Sequence, residues 1–237
     1  MLNEPELPSI LPSSRQTIDK GSRSIQRRAA QVALVAVIVA GVVWGITRKG
    51  QSPENDAKGA ACITNDKRQN ALKAAAIGDV AGFSVNPSAQ PMGNFSFLSP
   101  KGEPKKFSDF GGKIVLVNLW ATWCAPCRKE MPEFDALQKS RGSARFEVVA
   151  INVDTRDPDK AGTFLDEIAV TTLARYADPK GLILQDMKKV GRAPGLPSTI
   201  LLDERGCELG FLLGPAAWAS KDALALVDAA LIGSSSP

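Results

Sequence analysis

Two cysteines separated by two residues, Cys124 and Cys127 in "LVNLWATWCAPCRKEMP" (116–132), have the types and spacing best suited to chemistry. The apolar run "KIVLVNLWA" (113–121) precedes them and predicts a strand buried on both faces, while residues 124–139 predict a helix. A thiol at a helix N-terminus faces unpaired N–H groups and the positive end of the helix dipole. Both stabilise the thiolate, which is the attacking form in thiol–disulfide exchange. We therefore predict that Cys124, the more exposed, is the nucleophile and that Cys127 resolves the mixed disulfide.

Metal binding and a purely structural bridge are the alternatives for this pair. Structural zinc sites need four ligands, commonly from two paired spacings, whereas the chain has a single Cys-x-x-Cys and no histidine. The lack of histidine also removes a Cys–His dyad and a His-containing copper site. A lone Cys-x-x-Cys after a buried strand favours redox chemistry over a small local disulfide. The expected redox group is the Cys124–Cys127 disulfide itself, with no cofactor and no metal.

The N-terminal residues predict the cellular compartment in which the two cysteines lie. Residues 29–46 contain no charge, and eighteen helical residues span about 27 Å, close to the thickness of the hydrocarbon core. Four bases shortly before this run and two after it favour an N-terminus in the cytoplasm. We expect a cytoplasmic tail (1–28), a transmembrane helix (29–46), a linker (47–61) and a periplasmic domain (62–237). A buried core helix and a cleaved signal peptide are the less favoured readings of the apolar run.

The charge distribution excludes one class of partner. The first 50 residues hold seven Lys or Arg and three Asp or Glu, which accounts for the whole net charge of +4. The rest of the chain therefore has no net charge, and a basic nucleic-acid-binding surface is not expected there.

The pattern that would position the pair begins at about residue 82, where "NFSFLSPKGEPKKFSDF" (94–110) predicts a hairpin. From residue 113 the predicted elements follow the order β-α-β-α-(α)-β-β-α. This order fits a central sheet with helices on both faces. Residues 62–77 predict an additional N-terminal helix, because Ala and Lys are frequent there.

The segment "NLWATWCAPCRKEMP" resembles the active-site segment of membrane-anchored, thioredoxin-like proteins of the TlpA/ResA/CcmG type, and most of all the TlpA-like thiol:disulfide interchange proteins. The likeness extends through "FEVVAINVDTRDPDK", "RAPGLPSTILLDERGCE" and "GPAAWASKDAL", over roughly residues 60–232. It implies an α/β thioredoxin fold, in which a central mixed β-sheet is flanked by helices on both faces. An added N-terminal helix and a transmembrane anchor complete the expected architecture.

The resemblance also implies roles for residues around the pair. Pro197 matches a cis-proline that lies against the redox pair, and the backbone of Leu196 would pair with an extended substrate; the alternative is an ordinary proline at the start of a strand. Glu130 matches a glutamate that assists proton transfer, with a solvated helix residue as the equal alternative. Trp123, Ala125 and Pro126 would contribute to the substrate-contact surface. Asn118 stands where ordinary thioredoxins carry a buried aspartate.

The other two cysteines, Cys62 and Cys207, remain if Cys124 and Cys127 form the redox pair. The resemblance implies a second, structural disulfide between them, which would fasten the added N-terminal helix to the domain. Two unpaired thiols are the alternative, disfavoured in an oxidising compartment, and a second redox pair is a further possibility.

The expected function is that of a dithiol reductant anchored in the inner membrane, because the intervening Ala-Pro supplies no cation of the kind strong oxidants use. The resemblance implies as clients a Sco-type copper chaperone and cytochrome oxidase subunit II, with a CcdA- or DsbD-type membrane protein as electron donor. Reduction of apocytochrome c cysteines is the first alternative, and a non-catalytic copper carrier or assembly scaffold is the second. A monomer is expected.

Overall fold

The computed structural model describes residues 62–63, 65–157 and 159–233, which form one mixed β-sheet and its associated helices. The strands are β1 (Ser84–Val85), β2 (Ser96–Leu98), β3 (Pro104–Lys106), β4 (Ile114–Trp120), β5 (Phe146–Asn152), β6 (Tyr176–Ala177), β7 (Ser198–Leu202) and β8 (Glu208–Leu213). The α-helices are α1 (Asp66–Ala75), α2 (Ala125–Arg141), α3 (Asp159–Glu167), α4 (Leu182–Lys189) and α5 (Lys221–Ala230). Two short 3₁₀ helices cover Gly78–Val80 and Phe107–Phe110.

The sheet has the order β1-β8-β7-β4-β5-β6-β2-β3. Strands β4, β5 and β6 run parallel, and every other neighbouring pair is antiparallel. All residues of β4 and β7 are buried, which agrees with their apolar sequences. The strand that leads to the cysteine pair is therefore held between two neighbours, and its end is fixed by hydrogen bonds on both sides.

Helix α2 follows β4 after a short loop and is the longest helix among the described residues. Pro126 lies in the first turn of α2, where a backbone N–H has no hydrogen-bond partner within the helix, so the N–H that proline lacks is not needed. Its buried face includes Met131, Phe134 and Leu137. Phe134 stacks on Trp218 of the segment before α5, with ring centroids 5.2 Å apart. The active-site helix is thus locked to the C-terminal part of the domain.

The predicted hairpin after residue 94 is confirmed, since β2 pairs with β3. The two-residue strands β1 and β6 were not predicted, because they are too short to show a periodic pattern. The predicted N-terminal helix is present but begins at Asp66, so the expectation that Cys62 opens it is wrong. Asn65 ends the preceding segment, because its side chain accepts the N–H of Arg68 and caps the helix at that point.

Helix α1 is attached to the domain through buried polar side chains as well as through the fully buried Leu72. Arg68 is buried and forms a bidentate ion pair with Glu204, at 2.7 and 3.0 Å. Its Nε also donates to the carbonyl of Ile232. Cys62 and Cys207 form a disulfide, as the resemblance implied. The bridge and the buried arginine together hold the added helix beside the turn between β7 and β8.

The predicted tail (1–28), transmembrane helix (29–46) and linker (47–61) lie outside the described residues. Within the described ranges, no helix combines the length and the apolar character needed to cross a bilayer.

Candidate active site

Cys124 and Cys127 form a disulfide at the start of α2. Cys124 is the N-cap residue, and its Sγ accepts the backbone N–H of Cys127 at 3.3 Å. It is 6% exposed, whereas Cys127 is completely buried. The sulfur of Cys124 therefore faces the unpaired N–H groups of a 17-residue helix, and these would stabilise a thiolate there after reduction. The predicted order of exposure, with Cys124 outermost, is confirmed.

The loop between β4 and Cys124 is held by a buried carboxylate. Both oxygens of Asp154 accept the backbone N–H of Thr122, at 3.0 and 3.3 Å. Asn152 donates its side-chain amide to the same carboxylate at 2.8 Å. The sequence "DTRDPD" (154–159) predicts only a turn and a helix cap, so sequence reasoning missed this role of Asp154. A signal was present, because Asp154 closely follows a buried strand that runs parallel to β4.

Pro197 enters β7, and the bond between Leu196 and Pro197 is cis, as expected from the resemblance. Ser198 is paired with Leu119, near the end of β4, so Pro197 lies at the same end of the sheet as the cysteine pair. The carbonyl of Pro197 accepts the N–H of Gly214 at 3.0 Å, and Ser198 Oγ donates to the carbonyl of Gly195 at 2.7 Å. These hydrogen bonds fix the loop that contains Leu196 and Pro197 at this end of the sheet.

Glu130 lies one turn beyond Cys127 and is only 2% exposed, so the alternative of a solvated helix residue is wrong. Its Oε1 accepts the indole N–H of Trp218 at 2.9 Å and the backbone N–H of Ala216 at 3.0 Å. Burial raises the pKa of Glu130 from 4.5 to about 7 against the lowering effect of these two hydrogen bonds, and Glu133 adds to the rise. A carboxyl group with this pKa can give up and take up protons at neutral pH.

Asn118 is fully buried in the middle of β4. Its side-chain amide donates to Thr199 Oγ1 at 3.0 Å, and its Oδ1 has no partner. An amide cannot exchange a proton at neutral pH as a carboxylate can. Proton transfer at the pair therefore cannot use this position, which increases the importance of Glu130.

The surface around the pair combines exposed and concave parts. Trp123 is 68% exposed, and Ala125 and Pro126 are also exposed. One pocket of 510 Å³ lies beside Trp123 and is lined by the 154–157 loop. A second pocket of 460 Å³ lies beside Ala125, Pro126 and Glu130. Three of the predicted contact residues, Trp123, Ala125 and Pro126, are thus exposed on either side of Cys124, whereas Pro197 is buried.

A metal centre is not formed by the described residues, among which no three His, Cys, Asp or Glu side chains are placed to hold an ion. The site therefore offers a disulfide, a buried carboxyl group and an exposed tryptophan as its chemical groups.

The order of the sheet and the placement of the pair agree with comparisons to known proteins. A model of the AhpC/TSA family matches residues 89–207, which is half of the chain. The chain belongs to the AhpC/TSA family. The family segment runs from the residues before β2 to Cys207 and contains the cysteine pair. The domain has a thioredoxin-like α/β fold, so the predicted fold class is confirmed for the described residues.

Individual relatives of this AhpC/TSA chain are named for disulfide chemistry. The thiol-disulfide oxidoreductase ResA of Bacillus thuringiensis is 32% identical over 118 residues, covering 48% of this chain and 62% of ResA. The thiol:disulfide interchange protein HelX of Rhodobacter capsulatus is 36% identical over 122 residues, covering 50% of this chain and 64% of HelX. The chain thus spans less than two thirds of each relative. The solved structure of a putative thiol:disulfide interchange protein DsbE from Chlorobium tepidum has a TM-score of 0.52 and 29% identity, covering 62% of this chain and 99% of that one.

Proposed function

We propose that this protein is a thiol:disulfide oxidoreductase that acts as a dithiol reductant through Cys124 and Cys127. The observation that carries the proposal is the position of Cys124 Sγ at the N-cap of α2, where it accepts the N–H of Cys127. The names of the relatives, which describe disulfide chemistry, support the same reaction class.

The reaction follows from the order of exposure of the two sulfurs. In the reduced protein, the thiolate of Cys124 attacks one sulfur of a client disulfide, whose S–S bond breaks as the mixed disulfide forms. The released client thiolate takes up a proton. Cys127 then loses its proton and attacks Cys124 Sγ, which forms the Cys124–Cys127 disulfide and releases the second client thiolate. Two electrons pass from the protein to the client, and a membrane protein of the CcdA or DsbD type would return them.

Glu130 is the proposed proton acceptor for Cys127. It is on the same helix, three residues further along, and its pKa of about 7 suits proton exchange at neutral pH. Burial of Cys127 excludes bulk water from the sulfur, so a nearby carboxyl group supplies a route that solvent does not.

The proposed clients are cysteines of copper-site assembly partners of cytochrome oxidase, a Sco-type chaperone and subunit II. This choice rests on the resemblance of the sequence to TlpA-like proteins, whereas the uncharged Ala125-Pro126 pair supports only the reducing direction. The proposed location is the inner membrane, with residues 29–46 as a single anchor and the described domain in the periplasm.

The test of the chemistry uses the full-length chain in detergent. Its reduction potential, titrated against glutathione and read by mass-tagged thiols, should lie near the thioredoxin value of about −270 mV or somewhat above it. A value near −120 mV would mean that the protein forms disulfides. The Cys127→Ser variant should trap clients as mixed disulfides on Cys124, and a variant that also carries Cys124→Ser should trap none.

The test of the client uses a strain that lacks the protein. Selective loss of oxidase activity with intact c-type cytochromes would support the copper-site partners. Loss of haem staining of c-type cytochromes would show that apocytochrome c is the client. Restoration of function by the Cys124→Ser variant, together with copper retained by the purified protein, would instead identify a copper carrier.

A further inference from the structure

The 510 Å³ pocket beside Trp123 is walled in part by the residue next to the proposed nucleophile. Trp123 precedes Cys124 in the chain and is 68% exposed. The lining continues through Thr122 and the 154–157 loop to Lys160. A client joined to Cys124 would therefore reach this pocket with residues close to its own cysteine.

The two sides of this pocket are joined by the buried carboxylate of Asp154. Both of its oxygens accept the N–H of Thr122, and Asn152 donates its side-chain amide to it at 2.8 Å. Thr122 lies two residues before Cys124, which limits the distance between their Cα atoms to about 7.6 Å. The pocket is therefore formed before a client arrives and stays at a short distance from the nucleophile.

The accessible groups of the pocket are mainly cations and hydrogen-bond donors that have no partner in the described part of the chain. Arg156 and Lys160 are exposed, and neither belongs to an ion pair there. The indole N–H of Trp123 also donates to none of the described residues. Because Asp154 is 4% exposed and its oxygens are occupied, Asp157 is the one accessible carboxylate in the described lining. Positive charge is thus in excess at the accessible surface of the pocket.

We propose that this pocket binds an acidic side chain of the client, an aspartate or a glutamate close to the cysteine that is being reduced. The inference rests on the proposed exchange function and specifies its substrate class. A carboxylate accepts charge-assisted hydrogen bonds from arginine and lysine, which are stronger than those between neutral groups. A cation is a poorer occupant, because Arg156 and Lys160 would repel it.

The geometry of an extended peptide limits where the acidic residue lies in the client. Such a peptide advances about 3.3 Å per residue, and its side chains alternate between opposite faces. A side chain two residues from the client's cysteine therefore lies on the same face as that cysteine and about 6.6 Å from it. This distance is similar to the limit of about 7.6 Å between Thr122 and Cys124, so we expect the acidic residue at that position.

The experiment compares peptides that differ at this position alone. Symmetric disulfide dimers of a short, otherwise uncharged peptide with one cysteine are prepared with either glutamate or glutamine two residues before the cysteine, and a second pair carries the change two residues after it. The reduced full-length protein is mixed with each dimer, and the release of peptide thiol gives the second-order rate constant. The same measurement is made on Arg156→Gln/Lys160→Gln and on the control Lys73→Gln/Lys139→Gln, which removes an equal charge from exposed positions on α1 and at the far end of α2.

In the unmodified protein, the glutamate peptide of at least one pair should react about threefold faster than its glutamine partner, which is the scale of an ion pair in contact with solvent. The ratio cancels any effect of the two cations on the reactivity of Cys124, because both peptides meet the same thiolate. Arg156→Gln/Lys160→Gln should bring the ratio close to 1, and the control should retain it.

Equal rates for glutamate and glutamine in the active, unmodified protein would overturn the inference and leave the exchange function intact. A preference that survives Arg156→Gln/Lys160→Gln, or that disappears in the control, would also overturn it. Failure to reduce any of the peptides would overturn the exchange function and the inference together.

Discussion

Trp218 donates its indole N–H to Oε1 of Glu130 at 2.9 Å, and this bond connects the C-terminal segment to the helix that begins at the redox pair. Both partners are buried, so the bond holds an ionisable group at a fixed position one turn beyond Cys127. Protonation of Glu130 should therefore affect both the stability of the fold and the proposed exchange reaction.

The first prediction concerns Glu130→Gln in the oxidised protein. Because burial raises the pKa of Glu130 to about 7 from 4.5, the folded protein binds this proton more tightly than the unfolded chain. Stability should therefore fall as pH rises from 4.5 to 7, by roughly 3 kcal/mol at most, and should not change further above that range on account of this group. Urea unfolding at pH 5 and pH 8 should show this loss in the unmodified protein and not in Glu130→Gln. Parallel pH profiles for the two proteins would contradict the assignment.

The second prediction concerns Trp218→Phe, which keeps an aromatic ring stacked on Phe134 but removes the N–H donor. That donor lowers the pKa of Glu130, so its loss should move the midpoint of the pH–rate profile for disulfide exchange to higher pH. Trp120→Phe is the matched control, since Trp120 is equally buried and packs on Phe164 instead. A shift of the same size in both variants would show that the effect comes from the loss of side-chain packing and not from the loss of the hydrogen bond to Glu130.

The third prediction separates the two disulfides. Cys62 and Cys207 are 145 residues apart, and closing a loop of this length stabilises a protein by about 5 kcal/mol in the chain-entropy treatment. The double variant Cys62→Ser/Cys207→Ser should lose stability on that scale and should still reduce peptide disulfides. The variant Cys124→Ser/Cys127→Ser opens a loop of three residues, so it should lose much less stability and all exchange activity. Loss of exchange in the first variant while it remains folded would show that its bridge takes part in the chemistry.

The fourth prediction concerns the segment that leads to Pro197. Nε of Arg192 donates to Oε2 of Glu208 at 2.6 Å, and Glu208 is completely buried. Arg192→Met would leave a buried charge without its cation, at an expected cost of about 3–5 kcal/mol in unfolding free energy. Addition of Glu208→Gln to that variant should restore part of the loss. Arg175→Met is the control, because Arg175 pairs with the exposed Asp166, and it should change stability by less than about 1 kcal/mol.

Much of the site could be predicted from the sequence, because the strongest signals are local. The apolar run that became β4 and the cysteines directly after it define a buried strand followed by a helix N-terminus, and the structure has both. The partners of Glu130 could not be predicted in this way. Trp218 is 88 residues away, and nothing in its local sequence indicates that its N–H meets a carboxylate on α2.

The contacts that attach α1 to the domain could not be predicted from local sequence patterns either. A periodicity argument assigns the buried face of a helix to apolar residues, yet Arg68 and Gln69 are buried with Leu72. Arg68 is buried because Glu204 and the carbonyl of Ile232 supply its partners, and these come from the far end of the chain. The spacing of apolar residues does not indicate which charged residues from distant segments will form ion pairs.

Residues 84–106 supply strands to both edges of the sheet, β1 beside β8 and the β2–β3 hairpin beside β6. Between them the chain crosses the turn that carries Cys207, where Pro91 forms a bridge with that cysteine. During synthesis these edge strands leave the ribosome before the central strands that they flank in the sheet. Apart from the pairing of β2 with β3, these strands have no partner in the sheet until residues 176–213 have been made, so the edges of the sheet are made before the strands on which they close. A nascent chain of this protein must therefore keep its first strands from pairing elsewhere until almost all of the domain has emerged.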